Sequence, residues 1–251
     1  MIWPLRTEAE LRSACGDADL VMWTGQGLRG PARAWALGDA VVAACPGIAR
    51  GDRLAVHGPV PEAVRLVRHA LAELGPGYRP WGEARLLAAV AARVDGLAER
   101  GRFSWMSLPV GAAGSLPPAV VDGGPQVGWL PAGEEAEVAA LLAADAPHSY
   151  AVPGAAGVRR WAGIRLDGEL AAVAADAWSA PTVGLLAGVA TRARHRGRGL
   201  ARLVCGWLTR QLVACYGRAA LMVDDDNPAA ITVYERLGYR RMRVMACQVT
   251  A

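Results

Sequence analysis

Lysine is missing altogether from the 251 residues, so all 27 basic side chains are arginine. Set against 23 acidic groups they leave a formal charge of +4, too small a surplus to indicate a nucleic-acid partner. Cysteine is sparse: Cys15, Cys45, Cys205, Cys215 and Cys247 are odd in number, scattered and mostly set in apolar runs. That pattern argues against a disulfide framework or a zinc site and leaves them as expected reduced core residues. No apolar run approaches the roughly 18 residues of a membrane span. The opening MIWPLRTEAELRSACGDADL also lacks the apolar core of a secretion signal, and the expectation is a soluble, cytoplasmic protein. Hydrophobic residues make up 53% of the chain, enough for real cores in one large or two small domains.

Between Gly111 and Gln126 the run GAAGSLPPAVVDGGPQ has neither a helical nor a strand period, which marks it as a linker. It would separate an N-terminal mixed α/β domain, residues 1–110, from a second domain, residues 127–251. In the first, a helix is expected at Glu8–Cys15, strands at Asp19–Thr24, within Ala32–Cys45 and at Asp52–His57, and helices at Pro61–Leu74 and Glu83–Glu99. An extended run, Phe103–Val110, follows. In the second, a strand at Val127–Leu130 and a helix at Glu134–Ala144 precede a hairpin, Arg160–Leu166 and Glu169–Trp178 around Asp167-Gly168. A strand at Val183–Thr191 then leads into a helix from Leu200, whose apolar face is Leu203, Val204, Trp207, Leu208, Leu212 and Cys215. A strand at Ala219–Asp224, a short helix capped by Asn227 and ended by Gly238, and a strand at Tyr239–Val249 complete the chain.

Chemistry concentrates before the Leu200 helix. Arg192, Arg194, Arg196, Arg198 and Arg202, with His195 among them, fall within eleven residues and suggest an anionic ligand. Gly197 and Gly199 let bare backbone N–H groups approach that anion at the helix N-terminus.

Arg196-Gly197-Arg198-Gly199-Leu200-Ala201 matches the Arg/Gln-x-x-Gly-x-Gly/Ala signature of the GNAT acetyltransferase superfamily. Asn227, Ala230, Tyr234, Gly238 and Tyr239 match its later Asn-x-x-Ala-x-x-x-Tyr-x-x-x-Gly-Tyr/Phe pattern. The C-terminal half, about half the chain, therefore resembles that family; Ala193 departs from the Pro often found there. The resemblance implies a mostly antiparallel sheet with flanking helices and acetyl-CoA as co-substrate. Its pyrophosphate would be held by Arg194, Arg196, Gly197, Arg198, Gly199, Leu200 and Ala201, and its pantetheine arm by the main chain of Val189, Ala190 and Thr191. Tyr234 would protonate the leaving thiolate, and Asn227 would touch the cofactor as well as cap its helix. The general base is open between Asp176 and His148. The acceptor would be a small-molecule or peptide amine, with no metal, nucleic acid or membrane involved; the oligomeric state is open, a homodimer among the options. The alternative is a CoA-binding sensor or scaffold that has lost transfer activity.

Other features invite competing readings. Asp224, Asp225 and Asp226 are consecutive, so on an extended strand they alternate in direction and do not make a ligand set. Gly25-Gln26-Gly27-Leu28-Arg29-Gly30 has dinucleotide-fingerprint spacing, but no long amphipathic helix follows it, and a glycine-rich turn is expected. The N-terminal part echoes the later element order, so a degenerate copy of the same fold stands as one reading of it beside an unrelated mixed α/β domain. Val56-His57-Gly58-Pro59 stands where the signature turn would be, so this half is expected not to bind CoA.

Overall fold

A computed structural model describes residues 1–109, 111, 116 and 125–250. The expected linker lies mostly outside the described residues, as does Val110. The chain divides into two compact units, one of Met1–Trp105, Ala180–Thr182 and Arg241–Ala251, the other of Met106–Ser179 and Val183–Arg240.

The first half contains β1 (Trp3–Leu5), α1 (Glu8–Ala14), α2 (Asp19–Gly25), β2 (Arg33–Leu37), β3 (Ala40–Ile48), β4 (Gly51–His57), α3 (Val60–Leu74), β5 (Arg79–Glu83), α4 (Ala84–Ala91) and β6 (Leu97–Ser107). The second contains β7 (Val127–Trp129), α5 (Glu135–Asp145), β8 (Val158–Leu166), β9 (Glu169–Ala177), β10 (Gly184–Thr191), α6 (Leu200–Tyr216), β11 (Ala219–Val223), α7 (Pro228–Arg236) and β12 (Arg240–Val249). Apart from α1 and α2 standing where α5 stands later, the two element orders are the same, as the reading of a repeated fold anticipates.

In the first unit the strand order is β1-β2-β3-β4-β5-β12-β6. Its last-named partner of β5 is thus the final strand of the chain, with Met245 opposite Gly82. Strands β4 and β5 are parallel. In the second unit β11-β10-β9-β8-β7 follow one another, with β10 and β11 parallel and the other pairs antiparallel. Leu108, just past β6, donates its N–H to the Ala219 carbonyl at 2.9 Å.

Three expectations need correction. Asp19–Thr24 is helical: Leu20, Val21, Met22 and Trp23 are all buried, and a short run buried on every side shows no period to separate helix from strand. The helix expected over Glu83–Glu99 stops at Ala91. Val94 and Leu97 continue its apolar spacing, but they reach the same core from a turn and from the start of β6. Strand β5 is not anticipated at all, because Arg79-Pro80-Trp81-Gly82-Glu83 has no alternation. The Gly25–Gly30 stretch is the end of α2 followed by a 3-10 turn, with Gly27 and Gly30 at positive φ. All five cysteines are free, and four are buried; Cys215 is exposed.

Each unit has its own apolar core. Val204, Leu208 and Leu212 of α6 pack with Leu186, Leu221 and Ile231 in the second unit. In the first, Val64 and Val67 of α3 pack with Val42, Leu54 and Val56. Trp23, Trp81 and Trp105 form a further cluster there, with ring centroids 5.5–5.8 Å apart.

Candidate functional site

The site begins where β10 leaves β11. The parallel pairing joins Gly184, Leu185 and Leu186 to Ala219, Ala220 and Leu221. The pairing with β11 ends there, while the other edge of β10 stays paired with β9 from Leu186 to Thr191, with a bulge between Ala187 and Ala190. Gly188 in that bulge has φ +61°, a backbone conformation suited to glycine. Beyond the bulge, Val189, Ala190 and Thr191 line a cavity of about 850 Å³.

At one end of the cavity lies the arginine-rich turn. Gly197 and Gly199 have φ of +77° and +78°, and neither meets another atom within 4 Å of an added Cβ. Glycine is required there for its dihedral freedom, and the space above the turn stays open. Gly199 is the N-cap of the 17-residue α6, and no side chain caps that end. The first bond inside the helix runs from the Leu203 N–H to the Gly199 carbonyl at 3.1 Å. The N–H groups of Leu200, Ala201 and Arg202 therefore have no acceptor within the helix, and these residues line the cavity. The positive end of the helix dipole adds to the attraction for an anion.

The arginines divide in a way the sequence does not reveal. Arg192 pairs with Glu169 at 3.2 Å and approaches Asp145 at 3.7 Å. Arg194 is bound to Glu169. Arg196 donates to the main-chain carbonyls of Asp145 and Thr191 at 3.0 and 3.3 Å, while Asp145 Oδ1 accepts the Ala193 N–H at 2.9 Å. These side chains fasten the turn to the end of α5 and the start of β9. Arg196 still lines the cavity; Arg194 and Arg198 do not, Arg198 instead meeting Nδ1 of His195 at 3.1 Å. Arg202, on the first turn of α6, and Arg236 on α7 are exposed and line it. Asp145 and Glu169 escape sequence reading because nothing local distinguishes them from other surface carboxylates.

The opposite wall is α7. Asn227 caps it by accepting the Ala230 N–H at 3.1 Å, with Pro228 in its first turn, and both Asn227 and Tyr234 face the cavity. Tyr234 is buried against Tyr239, ring centroids 6.1 Å apart, and Tyr239 shares a 2.8 Å hydrogen bond with Thr209. The Tyr234 hydroxyl has no hydrogen-bond partner among the described residues. Burial holds its pKa well above the ordinary phenol value, with Cys205 and Tyr239 adding to the effect.

The two base candidates separate. His148, in the loop after α5, is exposed and lines the cavity. Asp176 does not reach it. Its fully buried carboxylate accepts from Ser179 Oγ at 2.5 Å and from Tyr216 OH at 3.0 Å, with Arg160 Nε 3.7 Å away. Asp176 is a carboxylate tied into the packing between β9 and α6. Among the described residues no group of three or more His, Cys, Asp or Glu side chains is placed to hold a metal, and no helix is long and apolar enough to cross a membrane.

The first unit offers no equivalent of the turn. After β4 the chain passes through Gly58 at φ +105°, where an added Cβ would lie 2.4 Å from the Asp39 carbonyl oxygen. The space that is open over Gly197 and Gly199 is filled there by backbone.

Residues 162–247 match the FR47-like protein family. No curated protein is significantly similar to the chain. Among solved structures, a GCN5-related N-acetyltransferase from Kribbella flavida is 22% identical, with 94% of this chain and 96% of that one covered and a TM-score of 0.61. A GCN5-related N-acetyltransferase from Sphaerobacter thermophilus is 15% identical over 100% of this chain and 96% of its own, TM-score 0.56. A tandem GNAT protein from the clavulanic acid biosynthesis pathway is also 15% identical, over 100% and 99%, TM-score 0.54. Residues 162–247 thus match the FR47-like family, within a chain whose described residues share the fold of these solved GNAT structures.

Proposed function

We propose that this protein is an N-acetyltransferase that moves the acetyl group of acetyl-CoA to an amine. The observation that carries the reading is the convergence, on one cavity, of an uncapped helix N-terminus behind two left-handed glycines, a strand end freed from its neighbour, and an unpartnered tyrosine hydroxyl. The pyrophosphate of the substrate is held by the N–H groups of the Gly197–Ala201 turn and the α6 dipole, with Arg202 nearby. The arm lies along Val189, Ala190 and Thr191. Only one molecule binds per chain, because the corresponding turn of the first unit is closed.

In the transfer, the neutral amine attacks the thioester carbonyl, forming the C–N bond. As the tetrahedral adduct collapses the C–S bond breaks and the thiolate takes the proton of Tyr234, a contribution of roughly 10²–10⁴-fold for a positioned acid. The proton lost by the amine passes to water or to His148, the base candidate that faces the cavity; the acceptor is a small-molecule or peptide amine. The test is release of free thiol from acetyl-CoA with a broad amine panel, beside calorimetry of acetyl-CoA binding. Amine-dependent thiol release with one-to-one binding is expected; absence of binding would overturn the proposal. Binding without turnover across the panel would leave a CoA-binding protein without transferase activity.

A further inference from the structure

Trp161 on β8 is 6% exposed, and its indole Nε1 has no hydrogen-bond partner among the described residues. Buried tryptophans generally set this N–H on an acceptor, so the ring is retained here for its volume and shape. That volume is spent on the β10 bulge: a Cβ added at Gly188 would lie 2.6 Å from Cη2 and 2.8 Å from Cζ3 of the indole, and 3.1 Å from Cβ of Ala151. The six-membered edge of the indole and Ala151 close over the bulge together.

Residues of this contact and their chain neighbours line two cavities of the second unit. Ser149 and Val189 line the large cavity. Gly154 and Trp161 itself line a second cavity of about 340 Å³, with Leu130, Val138 and Val158 among its apolar walls. Its charged neighbours are already engaged: Glu134 with Arg165 at 2.7 Å, Glu135 accepting the Gly133 N–H at 2.8 Å, Arg159 with Tyr216 at 3.2 Å, and Arg160 stacked over Trp129 at 3.7 Å.

We infer that Trp161 sets the length of the acyl group the site accepts, by standing across the path from the thioester to the second cavity. The inference rests on the acyl-CoA reading above. With the pyrophosphate at the α6 N-terminus and the arm running back along Thr191, Ala190 and Val189, the next residue reached is Gly188, and the acyl carbon arrives at the bulge against the indole. An acetyl group ends there. Each further methylene must displace a packed ring, whereas removing the ring opens space toward the second cavity, whose walls include Leu130, Val138 and Val158.

Calorimetric titration with CoA, acetyl-CoA, butyryl-CoA and hexanoyl-CoA tests this without knowledge of the acceptor. The native chain is expected to bind hexanoyl-CoA about tenfold or more weakly than acetyl-CoA, the scale on which a packed apolar pocket refuses extra methylenes. Trp161→Ala should bring the two within about threefold while leaving CoA itself within about twofold of native; Trp161→Phe should keep most of the discrimination. A general structural defect would instead weaken CoA and every acyl-CoA alike. If Trp161→Ala lacks a cooperative thermal transition, Trp161→Leu gives the same readout. Equal native affinity for acetyl- and hexanoyl-CoA, or an unchanged ratio in the variants, overturns the inference alone. Failure of the native chain to bind any of the four overturns the acyl-CoA reading itself.

Discussion

Arg196 donates from Nη2 to the main-chain carbonyl of Asp145 at 3.0 Å and from Nε to that of Thr191 at 3.3 Å. The arginine of the signature thus joins the end of α5 to the end of β10 and stretches the turn between them. On a side chain as exposed as this one, water screens such charged hydrogen bonds to about 1 kcal/mol or less each, here contributed to the order of the loop. Arg196→Ala is expected to weaken acetyl-CoA binding roughly tenfold, and Arg196→Lys to restore little of it, since an ammonium lacks the planar fork that serves two carbonyls. Arg198→Ala, which removes charge without an anchor, should cost less than half as much in free energy. Calorimetry at fixed salt compares all three.

Gly199 separates backbone strain from ligand repulsion. Its φ of +78° is unfavourable for any L side chain, while the absence of atoms near its Cβ position means that nothing clashes. Gly199→Ala should therefore lower stability by about 1–2 kcal/mol, measured by urea unfolding. Gly199→Glu adds a carboxylate beside the uncapped N–H groups and should lower acetyl-CoA affinity well beyond the alanine variant. Equal affinities for the two variants would count against an anion at this turn.

Tyr234 is expected to act through its proton rather than its packing. Tyr234→Phe keeps the ring against Tyr239 and removes the hydroxyl, which has no hydrogen-bond partner to lose among the described residues. A fall in kcat of about 10² with acetyl-CoA affinity nearly unchanged is the predicted outcome. Because burial raises its pKa, the acid form persists through neutral and alkaline pH. The pH profile of kcat should show no loss of an acid group below about pH 10, the ordinary value for a phenol.

Much of this arrangement is legible in the sequence wherever one element supplies a function by itself. The two glycines, the Asn227 cap and the Asp167-Gly168 hairpin are local patterns that stand where spacing places them, and so do Val204, Leu208 and Leu212 of the α6 stripe, whereas Cys215, expected on that face, is exposed. What is not legible depends on partners distant in the chain. The roles of Arg192 and Arg194 are set by Glu169 and Asp145; the burial of α2 is set by a tryptophan cluster built from three elements; and the place of β12 beside β5 is a pairing across more than half the chain. Asp176 shows the same limit. Nothing in the local sequence foretells that its carboxylate accepts hydrogen bonds from Ser179 and Tyr216.

Asp176→Asn tests that structural role. The carboxylate accepts two hydroxyl hydrogen bonds in a fully buried setting, and neutralising it leaves an amide N–H₂ facing groups that now donate. A stability loss of about 2 kcal/mol is expected, with acetyl-CoA affinity and amine turnover per folded molecule close to native. His148→Gln, at a loop position lining the cavity, should do the reverse: stability within about 0.5 kcal/mol of native and a reduced kcat. Reduced turnover in fully folded Asp176→Asn, with His148→Gln unaffected, would exchange the two roles.

The buried thiols predict how the fold responds to alkali. Burial pushes Cys45 up to about 11, helped by the nearby Asp52 carboxylate, and likewise Cys247 to about 11, with Glu99 raising it and Arg102 opposing. An unfolded thiol titrates near 8.5. Below that value the thiols are protonated in both states and their contribution to stability is complete. Above it the unfolded chain releases its protons first and therefore binds fewer than the folded one, so the unfolding free energy falls as pH rises toward 11. The fully buried Cys205 shifts in the same direction. Thermal unfolding should move down by several degrees between about pH 8.5 and 10.5, the response expected for a loss of one to a few kcal/mol. Cys45→Ala and Cys247→Ala, whatever their stability at pH 7, should each flatten that dependence, and the double variant more than either. A slope unchanged in the double variant would show that those two thiols ionise as readily in the folded protein as in the unfolded chain.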